Sequence, residues 1–140
     1  MGVQTPGLWG AFRANRAKMS RGVPLEEGDR APWLAAIATA IDAWLCEGRR
    51  VVLACSALKR SYRALLRRDP ERMRLVYLRG APQLLRRRLE QRVGHFASSA
   101  LLDSQLLALE EPDDAFIVDV AAPAAEVVAS IRAGLGLGKR

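Results

Sequence analysis

The sequence has little of what membrane-spanning, disulfide-rich or structural zinc proteins require. Its 140 residues contain no apolar stretch of about 18 residues or more, so we expect no membrane-spanning helix and no membrane partner. The N-terminus lacks a basic head, an apolar run and a small-residue cleavage site, which predicts a cytoplasmic protein without a secretory leader. Cys46 and Cys55 lie in apolar segments and are predicted to be buried thiols; with a single histidine they cannot complete a structural zinc site.

The charge of the chain is strongly positive, with a formal net charge of +7 and a pI near 10.4. Such a balance fits either a solvated basic surface or a polyanionic partner, namely nucleic acid or a phosphorylated small molecule. The arginines cluster at residues 67–68 and 86–88, inside amphipathic helix patterns and with few aromatic residues between them. A stacking platform for single-stranded nucleic acid is therefore not expected, and a nucleic-acid-binding module is the less favoured alternative.

The alternation of apolar runs with amphipathic segments predicts an α/β fold with parallel strands. Residues 1–9 are predicted to be a loop and residues 10–19 a short helix, and Asp29 is the predicted N-cap of a helix that ends near Gly48. Short apolar runs predict strands at about residues 50–55, 73–78 and 116–120. Helices are predicted at residues 58–68, 82–92, 99–109 and 123–135, the last with Val127, Val128 and Ile131 facing inward. Ligands of such sheets bind beyond the carboxyl ends of the strands.

Four motifs, taken together, resemble those of gluconokinases. Residues 18–34 resemble the pattern KM..G.PL.D.DR.PWL, and residues 55–63 resemble CSALK..YR. Residues 88–96 resemble RL..R.GHF, and residues 104–112 resemble SQF..LE.P with a leucine in place of the phenylalanine. The motifs come in the family's order and spacing and, with the residues around them, cover residues 15–131, so the resemblance is specific.

The resemblance implies an adenylate-kinase-like P-loop kinase fold with a three-layer parallel sheet. It also implies transfer of the ATP γ-phosphoryl group to the 6-hydroxyl of D-gluconate, with Mg²⁺ bridging the phosphates, and a homodimer is common in the family. On this basis residues 20–140 form a gluconokinase-like domain with a lid at about residues 92–104, and residues 1–19 form a divergent N-terminal segment.

The family's phosphate-binding loop has no counterpart in these residues. Gluconokinases open with a strand and a G-x-x-x-x-G-K-[ST] loop, whose backbone N–H groups point at the phosphates. Here neither that loop nor the family's second strand and DGD..HP..N motif is found; only Gly7 and Asn15 match. The first strand would lie between the strands predicted at residues 50–55 and 73–78, so these are expected to leave a gap or to pair directly. The alternative function is a non-catalytic remnant that binds gluconate or phosphogluconate.

The resemblance also assigns site residues, each of which has a simpler structural interpretation. Lys59, Tyr62 and Arg63 follow a strand and lie one helical turn apart, so they could face one crevice or form a solvated cationic face. Arg88 and Arg92 project from one side of a helix and are the implied catalytic and ATP-binding arginines of the lid, or else surface residues. No metal ligand is assigned. The implied gluconate-binding residues are Arg30, Ser56, Lys59, Tyr62, Arg63, His95 and Gln105.

Overall fold

The computed structural model describes residues 6–91 and 99–138, and describes side chains for residues 13–91 and 101–138. Helices and a small sheet alternate along this part of the chain, as the sequence predicts for an α/β protein. The elements are α1 (Pro6–Ser20), α2 (Glu27–Cys46), α3 (Arg60–Leu66), β1 (Val76–Arg79), α4 (Pro82–Glu90), α5 (Ser99–Ala108), β2 (Phe116–Asp119) and α6 (Ala124–Gly134).

The sheet of the described residues consists of β1 and β2, which run parallel. Val76 is opposite Phe116, and Arg79 is opposite Asp119. Parallel neighbours require a long crossover connection, and α4 and α5 lie in the chain between these two strands. The predicted parallel strands near residues 73–78 and 116–120 are thus confirmed, with slightly different bounds.

The strand predicted at residues 50–55 is wrong for the described part of the chain. No described residue pairs with this segment to form a sheet, and Val52 is 100% exposed. Val51 and Leu53 are each 41% exposed. An apolar run forms a strand only when a neighbour accepts and donates its backbone hydrogen bonds. The described residues provide no such neighbour. This agrees with the gap expected where the family's first strand has no counterpart.

Helix α2 carries most of the hydrophobic core. Its buried side chains recur at helical spacing and meet the buried face of the short helix α3. Trp33, Cys55 and Met73 pack against the edge of this cluster. The buried residues of the cluster are Leu34, Ile37, Ala38, Ala40, Ile41, Trp44, Tyr62 and Leu66.

The helix starts differ from those predicted. Helix α1 begins at Pro6, within the segment predicted as loop. Helix α2 begins at Glu27, and its N-cap is Glu26 rather than Asp29. Asp29 lies three residues further on, where its Oδ2 accepts the backbone N–H of Glu26 at 2.9 Å. The acid therefore still satisfies a backbone donor at the helix start, from within the first turn.

Two burial predictions are also wrong. Cys46 is exposed, because it ends α2 on the side away from the core. Cys55 is half-buried, and this burial raises the pKa of its thiol. Val128 is 54% exposed, although its neighbour Val127 is buried as predicted. Within the described ranges, no helix is long and apolar enough to cross a bilayer.

Candidate functional site

A cavity of about 540 Å³ lies where α1, the start of α2, the turn before α3 and helix α5 meet. Its wall is largely apolar, with a few polar groups from separate parts of the chain. This combination is typical of small-molecule sites. The lining residues are Asn15, Met19, Pro24, Leu25, Arg30, Trp33, Ala54, Cys55, Ser56, Ala57, Leu58, Tyr62, Leu101, Ser104 and Gln105.

Four of the predicted gluconate-binding residues line this cavity. Arg30 comes from the first turn of α2, Ser56 from the turn before α3, Tyr62 from α3 and Gln105 from α5. Three of the four sequence motifs, which are far apart in the chain, therefore meet around one space. Within the described residues Arg30 is the only charged residue of the wall, and its half-buried side chain makes no hydrogen bond or salt bridge to another described residue.

Arg63 lies beside the cavity but not in its wall. Its Nη1 donates hydrogen bonds to the carbonyl oxygens of Ala57 at 3.0 Å and Leu58 at 2.9 Å. Ala57 has a φ of 33°, a conformation that is costly for a residue with a side chain. Arg63 thus holds the turn that carries Ser56, and its predicted contact with gluconate stays a prediction.

Lys59 and Tyr62 converge on an acid that the sequence analysis did not single out. The Tyr62 hydroxyl donates a hydrogen bond of 2.6 Å to Oε1 of Glu27, and the Lys59 ammonium forms an ion pair with the same oxygen. The ammonium also lies 5.5 Å from the centre of the Tyr62 ring. The hydrogen bonds from Lys59 and then Tyr62 lower the pKa of Glu27, and the Glu27 carboxylate raises the pKa of Lys59. Lys59 itself lies outside the cavity wall.

A signal for Glu27 was present in the sequence. In the gluconokinase pattern PL.D.DR, which residues 24–30 resemble, Glu27 occupies the position of the first aspartate. Glu27 therefore stands at a motif position, one helical turn before Arg30. An acid at such a position could have been expected to bind a residue elsewhere in the fold. The partner residues could not be named, because Lys59 directly precedes α3 and Tyr62 lies in it, more than thirty positions away.

Helix α1 closes the cavity by binding to the start of α2. The Lys18 ammonium lies 2.9 Å from Oδ1 and 2.7 Å from Oδ2 of Asp29. Asn15 is 6% exposed, and its Nδ2 donates to the Asp29 carbonyl oxygen at 3.1 Å. The hydrogen bond from Lys18, followed by the one from the Glu26 N–H, lowers the pKa of Asp29. Lys18 and Asp29, both motif residues, therefore support the wall next to Arg30.

The fourth motif binds back to the second motif through Glu110. Its backbone N–H donates to the Leu58 carbonyl oxygen at 2.9 Å, and its Oε2 accepts the Arg60 N–H at 2.6 Å. The Arg60 guanidinium reaches Asp113 at 3.2 Å. These contacts tie the segment after α5 to the start of α3, which keeps Gln105 and Tyr62 on the same cavity.

The arginines predicted for the phosphate side are not brought to the cavity within the described residues. Arg88 is exposed on α4 and is not part of the cavity wall, while its neighbour Arg86 binds Asp103 at 2.7 Å. Arg92 and His95 lie outside the described residues, as does the first part of the predicted lid, residues 92–98. The remainder of that lid, residues 99–104, belongs to α5.

The described residues do not fit ATP and Mg²⁺. The sequence contains no G-x-x-x-x-G-K-[ST] loop, and the described residues contain no group of three acids, histidines or cysteines that could hold a metal ion. At the end of β1, the space beside Gly80 is filled by Val120 and Leu85, which lie 2.7 and 2.9 Å from where a Cβ would be. The next helix, α4, begins with a proline, which offers no N–H to a phosphate.

No model of a known protein family matches the chain. Individual proteins do match it. A gluconokinase from Gluconobacter oxydans (strain 621H) is 46% identical over 101 residues, which are 72% of this chain and 57% of that protein. The thermoresistant gluconokinase of Escherichia coli (strain K12) is 38% identical over 122 residues, which are 84% of this chain and 70% of that protein. The chain belongs to the gluconokinase family.

Solved structures support the same family and fold. A gluconokinase from Sinorhizobium meliloti 1021 superposes with a TM-score of 0.75 at 39% identity, covering 98% of this chain and 89% of that chain. An unliganded sugar kinase from Janibacter sp. HTCC2649 gives a TM-score of 0.79 at 37% identity, covering 89% and 74%. The predicted P-loop kinase fold is thus confirmed for this gluconokinase-family chain. The chain spans 57% of the first curated relative's length and 70% of the second's.

Proposed function

We propose that this chain binds D-gluconate in the cavity beside Arg30 and supplies the acceptor-binding part of an ATP-dependent gluconokinase. In that reaction the γ-phosphoryl group of ATP passes to the 6-hydroxyl of D-gluconate and gives 6-phospho-D-gluconate. The names of the curated relatives support the reaction, and the chemistry of the cavity supports the substrate.

The observation that carries the proposal is the position of Arg30. The Arg30 guanidinium is half-buried, lines an apolar cavity and makes no hydrogen bond or salt bridge to an acid among the described residues. Its charge contributes to the lowered pKa values of Glu27 and Asp29, but its N–H donors stay available for an anionic ligand. A carboxylate matches the planar fork of arginine with two parallel hydrogen bonds. Lys59 is less suited to this task because Glu27 already neutralises it.

The polar groups on the rest of the wall suit the hydroxyls of a sugar acid. Ser56 and Gln105 can each donate or accept a hydrogen bond, Tyr62 can accept one, and the three are spread among apolar side chains. The volume is within the usual range for small-molecule sites, about 300–1,000 Å³. One cation together with several neutral hydrogen-bonding groups matches one carboxylate and a chain of hydroxyls.

ATP with Mg²⁺, when bound, supplies the phosphoryl group in this class of reaction. The residues described here do not form its cradle, so we propose that these 140 residues alone bind gluconate without phosphorylating it at a kinase-like rate. Arg88 and Arg92 stay proposed as the phosphate-side arginines, and His95 as a substrate or lid contact. A cytoplasmic location and a homodimer also stay predictions.

Thermal unfolding with and without D-gluconate tests the substrate. We expect gluconate to raise the unfolding midpoint of the wild-type chain and Arg30→Ala to remove the shift. One charge-assisted hydrogen bond is worth about 1.5–3 kcal/mol, or roughly 10- to 150-fold in affinity. Arg50→Ala is the matched control, since Arg50 is exposed and bonds to no other described side chain. Equal shifts for wild type and Arg30→Ala would remove Arg30 from the site.

A non-catalytic protein that binds gluconate or 6-phosphogluconate is the second candidate, and the lack of a phosphate cradle favours it. A nucleic-acid-binding module is less favoured, since arginines of both basic clusters are engaged by acids. Arg68 binds Asp42 at 2.8 Å, and Arg67 forms an ion pair with Asp114. Filter binding over a salt titration separates the cases, because phosphate contacts produce a steep loss of affinity with salt.

A further inference from the structure

The hydrogen bond between Tyr62 and Glu27 has a defined direction. An ionised carboxylate has no proton to give, so over 2.6 Å the phenol hydroxyl must be the donor. The only proton of the Tyr62 hydroxyl is therefore used on Glu27. Toward a ligand in the cavity, the Tyr62 oxygen can therefore only accept hydrogen bonds, through its lone pairs.

The two charged groups next to this oxygen are paired with each other. The Lys59 ammonium forms an ion pair with Glu27 instead of being free for a ligand anion. Glu27 is not among the residues of the cavity wall, and its carboxylate is shared between the Tyr62 hydroxyl and the Lys59 ammonium. A ligand hydroxyl can donate to the Tyr62 oxygen, whereas a ligand carboxylate would place two acceptors against each other.

We propose that Glu27 is a positioning residue that makes Tyr62 an acceptor, so that the cavity selects sugar acids with a carboxylate at one end and a hydroxyl at the other. This inference rests on the proposed function, in which Arg30 holds the carboxylate. Tyr62 then receives a hydroxyl from the remote end of the ligand. Acids with carboxylates at both ends are rejected, since either orientation brings one carboxylate to Tyr62.

Binding of D-gluconate and D-glucarate to the 140-residue chain at pH 7, followed by calorimetry, tests the proposal. The two ligands differ only at carbon 6, where glucarate has a second carboxylate. We expect wild type to prefer gluconate by about tenfold or more, because an unpaired buried acceptor loses a full hydrogen bond. Glu27→Gln should reduce that ratio by about threefold or more, since its amide can donate to Tyr62 and it frees Lys59.

Three further variants separate positioning from stability. Glu27→Asp keeps an ionised acceptor and should retain the preference for gluconate. Tyr62→Phe removes the acceptor and should lower the ratio, and it serves as the test if Glu27→Gln does not fold. Glu71→Gln, at an exposed acid whose side chain bonds to no other described residue, should match wild type.

The outcomes are distinguishable. Absence of gluconate binding by the wild-type chain would overturn both the proposed function and this inference. Gluconate binding with the same gluconate-to-glucarate ratio in wild type and in the folded variants Glu27→Gln or Tyr62→Phe would overturn the inference alone. A ratio near one in wild type would do the same. A ratio that falls in Glu27→Gln and is kept in Glu27→Asp supports the inference.

Discussion

The guanidinium of Arg63 is hydrogen-bonded at 3.0 Å to the carbonyl oxygen of Ala57, which has a φ of 33°. A second bond of 2.9 Å reaches the next carbonyl, that of Leu58. Residues with positive φ persist where their surroundings hold them, and here the surrounding group is a side chain from the following helix. The turn in question carries Ser56 into the cavity wall, so Arg63 supports the site whether or not it contacts the ligand.

Arg63→Ala should therefore destabilise the chain even without ligand. Loss of hydrogen bonds from a charged donor to two carbonyls is expected to lower the free energy of unfolding by about 1–3 kcal/mol. Urea unfolding of the ligand-free chain measures this, with Arg50→Ala as the control. A loss within about 0.5 kcal/mol of the control would mean that the turn holds without Arg63. Arg30→Ala, in contrast, should unfold like wild type in the absence of gluconate.

Because residues 51–53 are exposed and pair with no described strand, truncating their apolar side chains should cost little stability. Leu34 is 3% exposed, and Leu34→Ala should cost about 2–5 kcal/mol. Val52 is 100% exposed, and Val52→Ala should change the unfolding free energy by no more than about 0.5 kcal/mol. Urea unfolding of both variants makes the comparison. A loss of more than about 1 kcal/mol for Val52→Ala would show that this segment is packed against a neighbour.

Acid should weaken the attachment of α1 to α2 through Asp29. Lys18 and then the Glu26 N–H lower the pKa of Asp29 below its ordinary value of 3.8. Since the folded state holds the ionised form more strongly, the stabilisation is complete above pH 3.8 and is lost as pH falls through the lower, folded-state pKa.

Thermal unfolding of wild type and Asp29→Asn across this range measures the effect. The variant should melt on the order of a few degrees lower at neutral pH, and the two midpoints should converge in acid. Glu71→Gln should match the wild-type midpoint at neutral pH. A difference between wild type and Asp29→Asn that is the same at neutral and acid pH would show that ionisation of Asp29 is not the cause.

What the sequence predicts well is local or carried by a motif. The apolar spacing of α2 predicted its buried face, including Leu34 and Ile41, because one helix is enough to create that pattern. The motifs predicted that Arg30, Tyr62 and Gln105 belong to one site, and the fold brings all three to one cavity.

What the sequence could not predict depends on distant partners. The run at residues 51–55 has the composition of a buried strand, but pairing is a property of the neighbour and not of the run. Arg63 and Lys59 are cations near a predicted crevice, yet one binds backbone carbonyls and the other binds Glu27. Asp29 is a residue type common at N-caps, but it lies three residues after the actual N-cap, Glu26, because α2 starts earlier. Its carboxylate instead binds Lys18.

Phosphate binding is the part of kinase catalysis that we predict these 140 residues do not provide. Kinase catalysis depends mainly on positioning the phosphates and neutralising their charge. The sequence supplies no Gly-rich loop, and in the described part Arg88 lies outside the acceptor cavity. Arginines stabilise the transferring phosphoryl group only when the phosphates are already held. We therefore expect an added upstream strand followed by a G-x-x-x-x-G-K-[ST] loop to produce gluconate-dependent turnover.

The most direct test is a coupled assay of ADP release by the purified 140-residue chain, with and without D-gluconate, in the presence of ATP and Mg²⁺. We predict that gluconate adds no turnover above the background of the assay. Gluconate-dependent turnover in the normal kinase range of about 1–100 s⁻¹ would contradict it.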